Sequence, residues 1–160
     1  MAALPPYIVK LLEERGVDPV AYVTELVLGE VDPSDRERLY EESSEYFWTE
    51  GLSLVEKGEL RQGGEKIWNS VVQLVKAIAE SRGWRHDSHR LVWVALRKIA
   101  EESGDREVIA LFAQVEQLHV NFYEGHLSHV EVDVFIDAAR KLREKLKALR
   151  LGHASGTKPS

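Results

Sequence analysis

The stretch LRQGGEKIWNSVVQLVKAIAESR, residues 60–82, decides the fold. Ile67, Val71, Leu74, Val75 and Ile78 recur at the spacing of one helical face, and Trp68, Val72 and Ala79 widen that stripe. A helix with so broad an apolar arc sits centrally in a bundle. The turn before it, Lys57-Gly58-Glu59, is short, so the preceding helix packs antiparallel to it. That helix opens at Asp32-Pro33-Ser34-Asp35, which offers a capping side chain, a preset φ and a carboxylate in the first turn. It runs to about Lys57 with Gly58 as its stop, and places Tyr40, Phe47, Gly51 and Leu54 on one face.

Further helix signals lie on both sides. Pro5-Pro6 opens a short helix through Glu14 with Gly16 just past its end. Asp18-Pro19 caps a second that reaches about Leu28, with Gly29 read as its end. After the loop Arg82–Ser88, Asp87 or Ser88 caps a helix whose buried face is Leu91, Val92, Ala95, Leu96 and Ile99, and Gly104 stops it. Asp105 caps the next, where Val108, Phe112, Val115, His119 and Phe122 share a face as far as Gly125. Ser128-His129-Val130-Glu131 reads as a capping box. The last helix carries Phe135, Ala139, Leu142, Leu146 and Leu149 on one stripe and a basic end. The expected architecture is all-α. It is an antiparallel helical bundle in a single domain over residues 1–151, with two short N-terminal helices ahead of a four- to five-helix core over 33–151. Residues 152–160 are expected to form a disordered tail.

Composition narrows the chemistry. With no cysteine among 160 residues, disulfides, thiolate zinc sites and cysteine nucleophiles are excluded. The start, Met-Ala-Ala-Leu-Pro-Pro, has neither the basic nor the apolar region of a signal peptide, and no apolar run approaches bilayer length. A cytoplasmic protein without membrane contact is expected. The net charge of -6 disfavours nucleic-acid binding by the surface as a whole. Charged residues at 30% with asparagine only at Asn69 and Asn121 lean towards a thermophile.

Two runs carry a resemblance. Gly64-Glu65-Lys66-Ile67-Trp68 lies in the central helix, and His119-Val120-Asn121-Phe122-Tyr123-Glu124 lies in the penultimate one. Together with Glu45-Tyr46-Phe47 and the spacing to Gly58 and Gly83, they resemble the PaREP-type family of archaeal proteins. That family is grouped with the HEPN superfamily of small helical bundles, and the similarity spans about residues 33 to 150. The resemblance implies a homodimer, which the number of large apolar residues also suggests, and the interface is expected to include the helix around Phe122 or the one around Trp48. The resemblance also implies one of two kinds of activity. Many HEPN proteins are metal-independent ribonucleases whose motif is an arginine, four to six residues, then a histidine. Others bind nucleotides or partner a nucleotidyltransferase. At the motif position Asn121 and His126 fit the pattern, but Val120 stands where the arginine belongs. A valine offers neither donor nor charge to steady a phosphate, so the motif reads as degenerate.

The residues themselves suggest a polar–aromatic cluster of His119, Asn121, Tyr123, Glu124 and His126, read either as a pocket or as a structural network. Arg82, Arg85 or Arg90 would supply the cation, with His89 as a further candidate binding residue, if the fold brings the loop before the fifth helix close. Arg82 and His89 also satisfy the arginine–histidine spacing outside the motif position. No metal site and no cofactor is expected, because His86, His89, His119, His126 and His129 match no ligand spacing. Trp48 reads as an exposed anchor. The basic run Arg140–Lys147 reads as a solvated face, or as a contact for RNA or a membrane surface. The leading expectation is a non-enzymatic dimeric module that binds a nucleotide, RNA or a partner protein. The rivals are a divergent ribonuclease using His126 and Asn121 and a helical-repeat-like scaffold, of which only one repeat, Glu45–Gly83, is visible.

Overall fold

A computed structural model describes residues 3–156, with side chains through Gly152. Among the described residues there are seven helices and no strand. They are α1 (Pro6–Glu14), α2 (Pro19–Glu30), α3 (Pro33–Glu56), α4 (Leu60–Arg82), α5 (His89–Ser103), α6 (Glu107–Glu124) and α7 (His129–Gly156). None is long and apolar enough to cross a membrane. Residues 157–160 of the expected tail lie outside the described residues; α7 itself is described through Gly156.

Cap chemistry sets most boundaries. Asp18 and Asp32 accept from the amides of Val20 and Ser34, and Ser88 accepts from Leu91. Gly83, Gly104 and Gly125 end α4, α5 and α6 in the left-handed conformation. At Ser128 the box is half formed: the Glu131 carboxylate accepts from the Ser128 amide at 3.3 Å, while the Ser128 hydroxyl donates to that same carboxylate. Gly29 does not end α2, which runs on to Glu30. No left-handed residue is needed there, because the Arg36 guanidinium reaches back to the carbonyls of Leu28 and Val31, each at 3.0 Å.

α4 is the axis of the bundle and packs against α3, α5, α6 and α7. Ile67, Val71, Leu74 and Val75 are fully buried, and each such side chain contributes about 1.5–3 kcal/mol. On α3 the buried face is Tyr40, Ser44, Phe47, Gly51 and Val55; Leu54, expected there, is half-buried, since Val55 is the residue one turn beyond Gly51. The α3–α4 hairpin closes at two glycines. A Cβ on Gly51 would stand 2.9 Å from the Gly63 carbonyl oxygen, and one on Gly63 would stand 2.8 Å from the Val55 amide nitrogen. The two backbones come close enough here that neither glycine has room for a methyl, with the Ile67 and Val55 side chains filling what space remains.

Two expectations for polar surfaces change. Trp48 is no free anchor: it packs against the main core under the guanidinium groups of Arg140 and Arg143, at 5.5 and 4.6 Å from its ring centre. The basic run on α7 is largely neutralised within the chain. Arg143 is buried and pairs with Glu45, Lys141 pairs with Glu107, and Lys145 pairs with Asp105 and Glu107.

α2 is held differently from the rest. Its backbone approaches α3 and α1, and it reaches α4 through long polar side chains. Lys66 pairs with Asp18 at 2.9 Å, while Gln73 and Lys76 both meet Glu25, at 2.8 and 3.0 Å.

Candidate functional site

The two runs quoted for the resemblance face each other across the α4–α6 contact. Glu65 is 4% exposed, and both of its carboxylate oxygens lie 2.9 Å from Nδ1 of His119. Burial pushes the Glu65 carboxyl above its ordinary range; the His119 hydrogen bond and charge pull it down, and Asp18 raises it again, for a net increase. Carboxyl and imidazole are thus joined by a short hydrogen bond. The other His119 nitrogen, Nε2, has no hydrogen-bond partner among the described residues, and the side chain is about a quarter exposed.

Aromatic rings continue this pair as a ledge. Trp68 stacks on His119, with ring centres 5.3 Å apart and planes at 21°. His89 lies 5.8 Å from Trp68 and 6.0 Å from His119, and Tyr123 meets His119 edge-on at 5.2 Å. His89 is fixed by Glu116, whose Oε2 lies 2.7 Å from its Nε2 and also accepts from the Trp93 indole at 2.8 Å.

Beyond Tyr123 opens a cleft of about 850 Å³ between the α1–α2 turn and the facing ends of α4 and α6. Its polar groups are Arg15, Arg61, Lys66, Asp18, Glu13 and Glu14, and Phe122 with Tyr123 forms an aromatic wall. Arg61 donates from Nε and Nη2 to the Phe122 carbonyl and from Nη2 to that of Tyr123, which satisfies the C-terminal carbonyls of α6 and fixes the guanidinium. Arg15 is exposed and makes no side-chain ion pair among the described residues. Asp18 both caps α2 and neutralises the buried Lys66 ammonium. Arg15 and Arg61 are thus the cleft's two guanidinium groups, and the carboxylates of Glu13 and Glu14 line it as well.

The residues expected at the site divide. His119, Tyr123 and His89 come together on the ledge. Asn121 does not join them: it is 1% exposed, and its Oδ1 accepts from the Leu127 amide at 2.8 Å, so it holds the α6–α7 turn from inside. Glu124 and His126 are exposed at that turn. Arg82 pairs with Glu102 and packs over Trp84, and Arg85 pairs with Asp87, so neither reaches the ledge with a free cation. Sequence reasoning missed the partners Glu65, Lys66, Glu116, Arg15 and Arg61 and treated Trp68 as core or interface packing. One signal was present: Glu65 and Lys66 are charges set directly beside the broad apolar arc of the central helix, and burial of charge demands a partner.

The profile of the Archaeal PaREP1/PaREP8 family matches residues 39–143. The chain belongs to this family. Both halves of the Glu65–His119 pair, with Trp68, His89 and Tyr123, fall inside the PaREP1/PaREP8 match, whereas α1, α2 and the cleft residue Arg15 fall outside it. A crystal structure of a Sulfolobus solfataricus protein superposes with a TM-score of 0.60 at 22% identity, covering 67% of this chain and 95% of that one, and shows the same fold. No protein of curated function matches the chain.

Proposed function

We propose that this PaREP1/PaREP8 chain is a HEPN-like homodimeric binding module that works in the cytoplasm and takes a nucleotide-sized anion in the cleft beside Tyr123. The observation that carries this reading is the pairing, in one concave site, of two guanidinium groups with an aromatic wall. Arg15 and the fixed Arg61 suit a phosphate, and Phe122, Tyr123, Leu4 and Val9 suit an apolar, planar body. The non-catalytic form of the reading is supported by Asn121, which is committed to the α6–α7 turn and buried away from any substrate. With Val120 lacking charge, the run 120–126 offers an exposed His126 and no cation of its own.

The test is calorimetric titration with nucleoside monophosphates, a cyclic dinucleotide, the bare nucleoside and inorganic phosphate. Nucleotides bind, and Arg15→Ala and Arg61→Ala each weaken binding by about 10-fold or more, the worth of one charge-assisted hydrogen bond. Absence of binding by every nucleotide at millimolar concentration rejects the reading. A single-stranded RNA incubated with wild type, His126→Ala and Val120→Arg separates binding from cleavage: cleavage by wild type that His126→Ala abolishes would replace the module with an enzyme.

A further inference from the structure

Seven of the thirteen large apolar side chains exposed among the described residues lie between Leu4 and Val27. Six belong to α1 and α2 and Leu4 just precedes α1, all in the part of the chain ahead of the family match. α2 is the unusual element. Its sequence PVAYVTELVLGE carries only two carboxylates, Glu25 and Glu30, and Glu25 is turned inward to Gln73 and Lys76. Apolar side chains surround the helix, yet Leu28 alone is buried, while Tyr22, Leu26 and Val27 are 42%, 56% and 55% exposed. A helix that is apolar all round belongs in an interior. On the neighbouring α1, Tyr7 and Leu11 are 72% and 50% exposed one helical turn apart.

We infer that α1 and α2 form the homodimer interface, and that the occupant of this face is a second copy of the same chain. The inference rests on the homodimer in the proposed function and names its surface, in place of the Phe122 or Trp48 helices expected from the sequence. Area is the first argument. Tyr7, Leu11, Tyr22, Leu26 and Val27 together expose on the order of 500 Å² of apolar surface, judged from their fractional exposure and ordinary side-chain size. A standard dimer covers about 800 Å² per partner, about 65% of it apolar in homodimers, which again is about 500 Å². Charge is the second. Lys10, Glu13 and Glu14 on α1 make no ion pair within the chain among the described residues. A foreign acidic or basic partner would favour a rim of one sign; this rim carries both signs within one helical turn. A two-fold axis that lays α1 antiparallel on its copy sets Lys10 of each chain against the Glu13–Glu14 pair of the other. By contrast Trp48 is already covered by Arg140 and Arg143.

The experiment is sedimentation equilibrium at micromolar concentration on the full chain, wild type, Leu26→Glu and Val134→Glu. Val134 is also exposed, at 52%, but on α7. The wild type sediments as a dimer, Leu26→Glu raises the dissociation constant by about 100-fold or more by forcing a charge into the seam, and Val134→Glu stays dimeric. A dimer that survives Leu26→Glu overturns this interface and leaves the homodimer standing; a monomeric wild type overturns both; dissociation by Val134→Glu alone moves the interface to α7. Nucleotide titration of the Leu26→Glu monomer tests the cleft separately. Should Leu26→Glu fold poorly, the cysteine-free chain permits Leu26→Cys and Val134→Cys with a short bis-maleimide linker. Cross-linked dimer from the first only supports the inference, and from the second only rejects it.

Discussion

Tyr123 lies across Gly16 and donates its hydroxyl proton to the Gly16 carbonyl at 2.7 Å. The ring occupies the place a side chain at residue 16 would need: a Cβ there would stand 2.1 Å from Tyr123 Cε1. Gly16 also has φ of 71°, which an L side chain adopts at about 1–2 kcal/mol. Gly16→Ala therefore combines a strained backbone with displacement of the cleft's aromatic wall. The expected outcome is a melting temperature lower by about 3 °C or more and a weakened nucleotide titration. Tyr123→Phe keeps the ring, loses about 1 kcal/mol at most and keeps the wall. An unchanged melt for Gly16→Ala would show that Tyr123 is not held against residue 16 in solution.

Gly51 and Gly63 give the sharper test of packing. Alanine is the better helix former by about 1 kcal/mol, so propensity alone predicts that either substitution stabilises. The contact predicts the reverse, because the added methyl meets backbone atoms of the facing helix that cannot rotate away. Overpacking of this kind costs about 1–3 kcal/mol. Gly63→Ala, with backbone at 2.8 Å and the Val55 methyl at 2.6 Å, should lower the urea midpoint clearly. A gain in stability would mean that the hairpin opens to admit a methyl.

Glu65 makes stability depend on pH in an unusual direction. Its carboxyl holds its proton more tightly folded than unfolded, so above its ordinary value of 4.5 the folded state binds more proton. Stability from this group then falls as pH rises from about 4.5 through the raised value, and levels off above it. The carboxyls of Asp32, Asp87, Asp105 and Glu107 are all held below their ordinary range by hydrogen bonds, and they act in the opposite sense and in a lower window, where acid removes their contribution. Glu65→Gln should flatten the decline above 4.5 and leave the acid limb as it is. Denaturant midpoints for the two proteins that differ by a constant at every pH would contradict this.

The histidines should part in their effects. His126 is exposed and free of hydrogen bonds among the described residues, so His126→Ala should leave stability within about 0.5 kcal/mol of wild type. His119→Ala leaves the buried Glu65 without its partner, and a stranded buried group costs about 1–3 kcal/mol. Equal melting curves for the two variants would refute the pairing. The His119→Ala loss should be smaller in the Glu65→Gln background, since the two residues are in direct contact.

Helix positions were legible because caps are local chemistry. Asp18, Asp32 and Ser88 act on amides two or three residues away, and the glycines past α4, α5 and α6 act in place. Gly29 misled because the carbonyls at the end of α2 are satisfied by Arg36, which belongs to the next helix. The site was half legible for the same reason. His119 and Tyr123 announce themselves as polar aromatics, but the carboxylate that orients His119 is 54 residues away, and periodicity carries no information on which helices face each other. Asn121 looked like a site residue because sequence shows an amide and not what its oxygen accepts.

The polar seam between α2 and α4 imposes an order on biosynthesis. Asp18 leaves the ribosome 48 residues ahead of Lys66, and Glu25 leaves as far ahead of Gln73. At about 5–20 residues per second, the N-terminal pair waits some 2–10 s for the helix that holds it. Through that interval it has no bundle to lie on and displays Tyr22, Leu26 and Val27 to whatever is nearby, including the nascent chain of a neighbouring ribosome on the same message.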